Sequence, residues 1–515
     1  MNSKWTAWIS ALTAGAFLGA CSPGGEGETG PEATPEAAAS AQRPNVVLIV
    51  ADDLGYGDVG AYGGETIATP HIDALAGAGV RLTDGHVSAA VCSPSRAGLM
   101  TGRYQSRFGY EYNPSFNFES GPEAGLGLPV TETTLADALQ GAGYATGLVG
   151  KWHLGIHDQY HPLNRGFDEF YGVFGGGTSY IDSRLPGTHS WPAEDAPTER
   201  DPHIARSIID GREPVDVPEY LTDVFAAKAV DFIDRHAGGP FFLMLSLTAP
   251  HTPIQATDEY VERNLHIEAE GARIYAAMVS SVDDTVGDVV GALKEHGLDG
   301  NTLIFFISDN GCINYMPDVI CTNGPLSGAK RYQLEGGIRV PFIATWPDGL
   351  AAGRVYDEPV ISLDIFATAT AAAGLEAHSV DGVDLLPHLR GETETPPHEF
   401  LFWRSAPNVA VRWGDWKLWR VDRSERDLDE AMSAGGRLLP IVNYPATSES
   451  GQTTLLYDLA TDIGERENLA ADHPEVVERM EAELATWSAG LVEPMWPSTR
   501  STLDTVDGQT IQLYF

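Results

Sequence analysis

The sequence contains very little cysteine: four residues in 515. Cys312 and Cys321 occur in one short stretch, GCINYMPDVICTNG, and in an exported protein they predict a local disulfide, with two free thiols as the alternative. Cys21 ends an apolar segment close to the N-terminus. Cys92 is then left without a partner, and an unpaired thiol in an oxidising compartment indicates a reactive or modified residue.

Positive charge is also scarce, since 32 lysines and arginines stand against 72 aspartates and glutamates, for a net charge of −40. Such a charge argues against nucleic acid or an anionic membrane surface as the main partner. It would also repel an anionic substrate at long range. An anion site in this chain therefore has to be a local pocket built from a few cations, a metal ion or helix N-termini.

The first 21 residues have the features of an export signal. Lys4 precedes the apolar run WTAWISALTAGAFLGA, which is too short to span a bilayer as a stable helix and ends in small residues. LGAC resembles the lipobox of bacterial lipoproteins, in which Cys21 would carry the lipid, and an ordinary signal peptide is the alternative. Residues 22–43, rich in Gly, Pro, Glu and Ala, are predicted to be a flexible linker. We expect an exported protein of the periplasm or cell envelope, attached to the membrane only through this lipid.

Apolar segments that alternate with helical stretches predict an α/β fold. NVVLIVADD, YATGLVGKWH, PFFLMLSLTAPH and TLIFFISDNG are typical of buried strands, while TDVFAAKAVDFIDRHAG and AAMVSSVDDTVGDVVGALKEHG have helical periodicity. This alternation favours a large, mostly parallel sheet sandwiched by helices over residues 44–386. After residue 387, NVAVRWGDWKLWRV and TTLLYDLATD are typical of short antiparallel strands. They predict a smaller C-terminal α+β domain over residues 387–515, with an antiparallel sheet.

Polar residues stand at the carboxyl ends of these predicted strands, where ligands bind in open α/β sheets. Asp52 and Asp53 follow the first strand, and Asp309 and Asn310 follow TLIFFIS. These side chains offer only oxygen ligands, which a hard cation such as Ca²⁺ or Mg²⁺ prefers. Either pair alone is also typical of an ordinary turn.

Two further groups of residues suggest chemistry in the same region. On an extended segment Lys151 and His153 would face one side, which places a cation beside a group able to transfer a proton. Pro94 suits the first turn of a helix, so Cys92 would lie at the helix N-terminus with Arg96 one turn further on. The helix dipole, the free amides and the guanidinium would favour negative charge on residue 92. A lone histidine and an inert buried cysteine are the plainer interpretations of each residue alone.

CSPSRAGLMTGR, residues 92–103, resembles the first signature of the type I sulfatases, and GYATGLVGKWHLG resembles the second. The motifs PNVVLIVADDLGYGDVGAYGG, APHTP, SDNG and LSGAKRYQLEGGIRVPFIATWP continue this resemblance in the order of that family, over nearly everything after residue 44. The resemblance implies an alkaline-phosphatase-like fold and an enzyme that hydrolyses sulfuric esters.

The resemblance also implies a covalent mechanism built on Cys92. A separate maturation enzyme would oxidise this cysteine to Cα-formylglycine, whose hydrate attacks sulfur and later expels sulfate. The implied ligands of one Ca²⁺ are Asp52, Asp53, Asp309, Asn310 and the modified residue 92.

Further catalytic roles are implied for residues in the same motifs. Arg96 would hold the formylglycine, and Lys151 and Lys330 would clamp sulfate oxygens. His153 would handle the diol proton during sulfate release, and His251 in APHTP would protonate the leaving alcohol.

Substrate preference is expected to lie in variable loops, of which TSYIDSRLPGTHSWPAEDAP and PIVNYPATSESGQ match no motif. Tyr180, Arg184, His189 and Trp191 would either line a sugar subsite or be ordinary loop residues. Arg331 stands where many relatives have a small or polar residue, and it would be a substrate-reading cation or a plain surface charge. We expect a sulfated carbohydrate as the substrate.

Two functions other than sulfate-ester hydrolysis are the alternatives. The first is a formylglycine-dependent phosphonate monoester or phosphodiester hydrolase on the same fold; such relatives tend to carry His where this chain has Asn310. The second is a surface lipoprotein that binds sulfated glycans without turning them over, which predicts the loss of catalytic groups. The residue types expected for catalysis are all retained, so we favour the sulfatase.

Overall fold

The structure, a computed structural model, describes residues 43–114, 125–193, 203–314, 316, 318–319, 321–424, 438–440, 451–498 and 500–515. The predicted signal peptide with Cys21, linker residues 22–42 and most of the loop PIVNYPATSESGQ lie outside these ranges. Within them, no helix combines the length and the apolar character needed to cross a membrane.

The strands follow one another along the chain as β1 (Asn45–Ala51), β2 (Val80–Leu82), β3 (Gly85–His86), β4 (Ala145–Lys151), β5 (Glu169–Val173), β6 (Thr188–Trp191), β7 (Ile208–Asp210), β8 (Glu213–Val215), β9 (Phe241–Ser246), β10 (Ile254–Thr257), β11 (Thr302–Ser308), β12 (Phe342–Thr345), β13 (Arg354–Tyr356), β14 (Val360–Ile361), β15 (Phe400–Ser405), β16 (Asn408–Trp413), β17 (Trp416–Arg423), β18 (Leu438–Pro440), β19 (Gln452–Asp458), β20 (Arg500–Val506) and β21 (Gln509–Tyr514).

The α-helices are α1 (Pro70–Ala78), α2 (Cys92–Thr101), α3 (Leu135–Gly141), α4 (Leu221–His236), α5 (Asp258–Arg263), α6 (Glu270–Glu295), α7 (Glu335–Ile338), α8 (Asp364–Ala372), α9 (Leu386–Arg390) and α10 (Pro474–Ser488).

Ten strands form the large sheet, in the order β13-β2-β12-β11-β1-β9-β4-β5-β7-β8. The central strands β11, β1, β9, β4 and β5 run parallel, whereas β12 and β7 pair antiparallel on either side of them. All seven residues of β1 are buried, as expected for a central strand covered by helices on both faces. The fold class predicted for this part of the chain is confirmed.

The register of the parallel strands brings their carboxyl ends to one level. Ala51 at the end of β1 lies opposite Ser308 of β11, and Ser246 of β9 lies opposite both Val50 and Gly150. The residues that follow these strands therefore emerge together at one edge of the sheet, which is where the sequence placed its candidate ligands.

A second, antiparallel sheet begins at Phe400. Its strands are ordered β15-β16-β17-β21-β20-β18, with β19 also paired to β17. Met480 and Leu484 of α10 are buried in the hydrophobic core that this sheet shares with the first domain. Helix α9 runs across the predicted domain boundary at 386/387, and the C-terminal sheet starts several residues beyond it.

Candidate active site

The four predicted oxygen ligands lie next to one another beyond β1 and β11. The backbone N–H of Asp53 donates to Asp309 Oδ1 at 3.2 Å, and Asn310 Nδ2 donates to Asp53 Oδ1 at 2.6 Å. Asp53 has a φ of +64°, a left-handed conformation uncommon for a residue with a Cβ. Asp52, Asp53, Asp309 and Asn310 are all buried.

This donor set fits a hard cation. The Oδ1 atom of Asn310 is buried and has no hydrogen-bond partner among the described residues, although buried polar atoms are almost always paired. Burial alone would raise the pKa of Asp52 and of Asp53, but the surrounding positive groups together outweigh it, Lys151 foremost at Asp52 and Lys330 foremost at Asp53, and hold both pKa values below their usual range. Two ionised carboxylates and an amide oxygen thus offer the ligands that Ca²⁺ prefers.

The third carboxylate behaves differently. Burial, and then the negative charge of Asp52, raise the pKa of Asp309 to about 6, even though Arg96 opposes the shift. Arg96 Nε donates to Asp309 Oδ2 at 2.8 Å, Nη2 lies at the same distance from that oxygen, and Nη1 donates to Ser246 Oγ at 2.5 Å. The guanidinium therefore links the ends of β9 and β11.

Cys92 is the first residue of α2 and is buried. Its Sγ lies 3.0 Å from Lys330 Nζ, 3.5 Å from Asp52 Oδ1 and 3.8 Å from Asp53 Oδ1. Burial, and then the charge of Asp309, raise the pKa of the thiol. The predicted preference for negative charge concerns the group that residue 92 becomes; in the unmodified thiol, burial and the nearby carboxylates outweigh Lys151 and Lys330.

Each of the two predicted lysines pairs with one of the carboxylates that follow β1. Lys151 ends β4, and its Nζ lies 2.7 Å from Asp52 Oδ2. Lys330 Nζ lies 2.7 and 2.9 Å from the two carboxylate oxygens of Asp53. Both ammonium groups are buried, so each needs the carboxylate it contacts.

The two predicted histidines lie beneath a glycine-rich loop. His153 does not continue an extended strand, since β4 ends at Lys151 and His153 has a φ of +58°; strand alternation is therefore not what orients its ring. A Cβ on Gly176 would lie 2.9 Å from His153 Cε1, and one on Gly177 would lie 3.3 Å from His251 Nδ1. A side chain at position 176 would therefore force the His153 ring to shift, and one at position 177 would be in tight contact with His251.

The histidines differ in exposure. Burial, and then the positive charge of Lys151, hold the pKa of His153 well below its usual value. Burial also lowers the pKa of His251, although Asp52 and Asp53 oppose the shift. The side chain of His251 is 19% exposed, and its Nε2 lies 3.7 Å from Asp53 Oδ2. Of the two, His251 is the one open to a leaving group.

The loop residues considered for a sugar subsite have other contacts. Tyr180 is buried, and its hydroxyl lies 2.5 Å from the Thr248 carbonyl and 2.9 Å from that of His251, so it supports the His251 loop from below. Arg184 pairs with Asp182 at 2.8 Å and His189 with Asp258 at 2.6 Å. Trp191 lies opposite Ile254 in the β6–β10 ladder.

Cys312 and Cys321 are joined by a disulfide in the structure. The Cys312 carbonyl accepts a hydrogen bond from the backbone N–H of Lys330 at 2.9 Å, and its own N–H donates to Asn323 Oδ1. The disulfide-bonded loop thus leads directly from Asn310 and supports Lys330.

Sequence reasoning missed three contributors to this site. Ser246 ends β9 and accepts from Arg96, and its polar position at a strand end was the available signal. Asn113 Oδ1 accepts from the backbone N–H of Ser93 in the first turn of α2 at 3.0 Å, a contact no local pattern marks. The run Gly175–Gly177 over the histidines was visible as three consecutive glycines.

A buried thiol, flanked by carboxylates, two lysines and two histidines at the carboxyl edge of a mostly parallel sheet, is the arrangement of a hydrolytic enzyme of the alkaline-phosphatase-like class. Residues 44–375 match the family Sulfatase, and residues 396–506 match the C-terminal region of aryl-sulfatase. The chain belongs to the sulfatase family, and it is an enzyme that hydrolyses sulfate esters.

Relatives of known name support this assignment. The chain is 34% identical to N-acetylgalactosamine-6-sulfatase of Sus scrofa over 445 residues, covering 82% of this chain and 81% of the relative. It is 34% identical to steryl-sulfatase of Mus musculus, covering 87% and 83%. The crystal structure of Ps i-CgsB in complex with k-i-k-neocarrahexaose superposes with a TM-score of 0.74 at 32% identity, covering 88% of this chain and 95% of that one.

Proposed function

We propose that this sulfatase is Ca²⁺-dependent and uses Cα-formylglycine, formed from Cys92 by a maturation enzyme, to release sulfate from a carbohydrate. The observation that carries the proposal is the position of Cys92 Sγ, within 3.0 Å of Lys330 Nζ and 3.5 Å of Asp52 Oδ1. That sulfur stands where the reactive group of the modified residue would be attached. A thiol held there in its neutral form has no evident use unless it is a precursor.

Asp52, Asp53, Asp309 and Asn310 would hold the Ca²⁺, which when bound polarises the sulfate ester and stabilises negative charge on the nucleophile. Residue 92, once converted to formylglycine, would supply the nucleophilic hydroxyl of a hydrated aldehyde and a second hydroxyl for the later release of sulfate.

The remaining side chains act around that chemistry. Lys151 and Lys330 neutralise the carboxylates before substrate enters and can turn toward sulfate oxygens. His251, partly exposed, is placed to protonate the leaving alcohol. His153, buried with a lowered pKa, is neutral and can accept a diol proton. Arg96 fixes Asp309 and the turn of α2 that begins at Cys92.

Relatives favour a sulfated sugar as the substrate. One is named for N-acetylgalactosamine 6-sulfate, and a structural neighbour was solved with k-i-k-neocarrahexaose. A steryl-sulfatase is equally similar in sequence, so the assignment to carbohydrate does not follow from identity alone. The panel of substrates used to test it should therefore include an aryl sulfate and a steroid sulfate beside defined sulfated saccharides.

We also propose that the protein is exported and lipid-anchored through Cys21, on the strength of its N-terminal sequence. A disulfide at Cys312–Cys321 suits an oxidising compartment. Metabolic labelling with a fatty acid, compared between the natural sequence and Cys21→Ser, should give a labelled band only with Cys21.

The mechanism is tested by mass spectrometry of the Cys92 peptide after expression with a maturation enzyme. We expect the mass of formylglycine and sulfate release from at least one saccharide. An unmodified thiol throughout would contradict the mechanism. Faster hydrolysis of 4-nitrophenyl phosphate or a phosphodiester than of every sulfate ester would instead favour the phosphorus-ester alternative.

A further inference from the structure

The segment that carries Lys330, residues 330–335, lies between the active site and the C-terminal sheet. On the side of the site, the backbone N–H of Arg331 donates to the Ala90 carbonyl at 2.7 Å. Arg331 has a φ of +86°, a conformation that residues with a Cβ rarely adopt and that persists only where the surroundings impose it. The backbone directly after Lys330 is therefore held in an unusual conformation next to the catalytic groups.

On its other side, the segment is bound by the C-terminal sheet. The guanidinium of Arg331 lies over the Phe515 ring, 4.3 Å from its centroid, and the Tyr332 hydroxyl donates to Asp504. Arg331 therefore packs against the C-terminal part of the chain. It is more than a plain surface charge.

The most buried of these contacts involve the side chain of Gln333. Trp419 Nε1 of β17 donates to Gln333 Oε1 at 3.0 Å, and Gln333 Nε2 donates to the Asn408 carbonyl of β16 at 3.3 Å. Both Gln333 and Trp419 are buried. A buried amide whose two ends are satisfied by a neighbouring sheet is costly to move, because a shift leaves polar groups unpaired.

The segment ends on a buried ion pair with the same sheet. Lys417 Nζ of β17 lies 2.8 Å from Glu335 Oε1 and 3.0 Å from Glu465 Oε1. The backbone N–H of Glu335 donates to Glu465 Oε2 at 2.7 Å. β17 thus holds the segment at positions 333 and 335, while Ala90 and the disulfide-bonded loop hold it at 330 and 331.

We propose that Trp419 and Lys417 of β17 are positioning residues for Lys330, so that the C-terminal sheet sets the place of a catalytic ammonium group in the other domain. The inference rests on the proposed role of Lys330 in binding sulfate. Lys330 Nζ has to lie within hydrogen-bond distance of Asp53 and of the residue at 92, and its own side chain is long and flexible. A backbone fixed from both sides supplies the accuracy that the side chain lacks, and a misplacement of about 1 Å can cost on the order of a hundredfold in rate.

Trp419→Phe tests the proposal because it removes the indole donor to Gln333 and keeps an aromatic ring in the core. In the matured enzyme at 25 °C, we expect kcat/KM to fall by about tenfold or more and inorganic sulfate to inhibit more weakly, since Lys330 would be displaced from the anion. Gln333→Met removes the other partner. The double variant should lose no more than Gln333→Met alone, because that change already removes the bond with Trp419 together with the bond to Asn408.

His398→Gln is the matched control. His398 Nε2 contacts Asp364 at 2.9 Å and also joins the C-terminal part of the chain to the first domain, without touching residues 330–335. At pH 6, the unfolding temperature of this variant should fall by about as much as that of Trp419→Phe. Its kcat/KM and its inhibition by sulfate should stay within twofold of the wild type.

A Trp419→Phe enzyme with unchanged kcat/KM and sulfate inhibition would overturn the proposal, and so would an equal loss in His398→Gln. A crystal structure of Trp419→Phe gives a measurement independent of activity: we expect the distance from Lys330 Nζ to Asp53 to exceed hydrogen-bond range. If the matured wild type released no sulfate, the proposed function would fail, while this distance would still decide the positioning role.

Discussion

Two buried clusters in this molecule contain the same kinds of charge and do different things. The site cluster consists of Asp52, Asp53, Asp309, Arg96, Lys151 and Lys330. The seam cluster, between the first domain and the C-terminal sheet, consists of Asp84, Glu335, Glu465, Arg339, Arg412 and Lys417. Each sets three carboxylates against three cations.

The seam cluster is closed on itself. Burial alone would raise the pKa of Glu335, but Lys417 and His86 outweigh burial and hold that pKa well below its usual value. Burial raises the pKa of its neighbour Glu465 to about 7, although Lys417 opposes the shift. Among the described residues, the ion pairs of this cluster join protein groups to one another, and the cluster reaches the site only through the backbone of residues 330–335.

The site cluster differs because it contains groups that are available to bind a ligand or to react. Asn310 Oδ1 has no hydrogen-bond partner among the described residues, Cys92 adds a modifiable sulfur, and His251 is partly exposed. The side chains of Asp84, His86 and Glu335 in the seam also lie close enough together to be candidate ligands of one metal ion. Proximity of histidine and carboxylates therefore does not identify an active site; an available ligand atom, a nucleophile and access to solvent do.

The sharpest test of this contrast is Cys92→Ala in the site cluster. We expect sulfate release to fall by about 10⁴-fold or more, because loss of a covalent nucleophile removes the whole reaction path. Its thermal unfolding temperature should stay within a few degrees of the wild type, since a small buried side chain is shortened by one atom. Residual activity within tenfold of the wild type would refute the nucleophile assignment.

Lys417→Met is the corresponding change in the seam cluster. It leaves the buried carboxylates of Glu335 and Glu465 without their shared cation, so we expect the free energy of unfolding to fall by about 3–5 kcal/mol. Urea denaturation followed by tryptophan fluorescence measures it. A loss of unfolding free energy below about 1 kcal/mol would mean that the remaining seam charges rearrange to compensate for the missing cation. The contrast with the site cluster would then fail.

Calcium should stabilise the site cluster only. At a free Ca²⁺ concentration of 100 times Kd, we expect the free energy of unfolding to rise by about 2.7 kcal/mol, and EDTA should reverse the gain. Asn310→Leu should reduce this shift, whereas Asp84→Asn in the seam cluster should leave it unchanged. A shift of the same size in both variants would place the ion elsewhere.

Much of the site could be predicted because strand ends are visible in sequence. β1 and β11 are short apolar runs followed by Asp-Asp and Asp-Asn, and parallel pairing brings such ends together. The start of α2 at Cys92 followed from Pro94 in its first turn. The roles of Lys330 and His251 came from family resemblance, since no local periodicity marks either residue.

What escaped prediction depends on contacts between distant segments. Lys417 meets Glu335 across 82 residues, and nothing in either local pattern selects the other. The raised pKa of the unmodified Cys92 thiol could not be predicted either, because it depends on full burial and on the charge of Asp309, 217 positions away. The left-handed backbone at His153 is likewise no preference of histidine, and the contact of its ring with Gly176 joins segments more than 20 residues apart.

The smallest expected effect concerns a simpler ion pair at the same domain seam, His398 with Asp364. Burial alone would lower the pKa of His398, but Asp364 outweighs burial and raises it above its usual value. The stabilisation is therefore fully present below about pH 6.5, the ordinary histidine pKa, and is lost as the pH rises through the folded-state pKa. His398→Gln should cost about 1–2 kcal/mol of unfolding free energy at pH 5.5 and much less at pH 9, as urea denaturation at both pH values would measure. A cost independent of pH would mean that the imidazole stays neutral and only packs against α8.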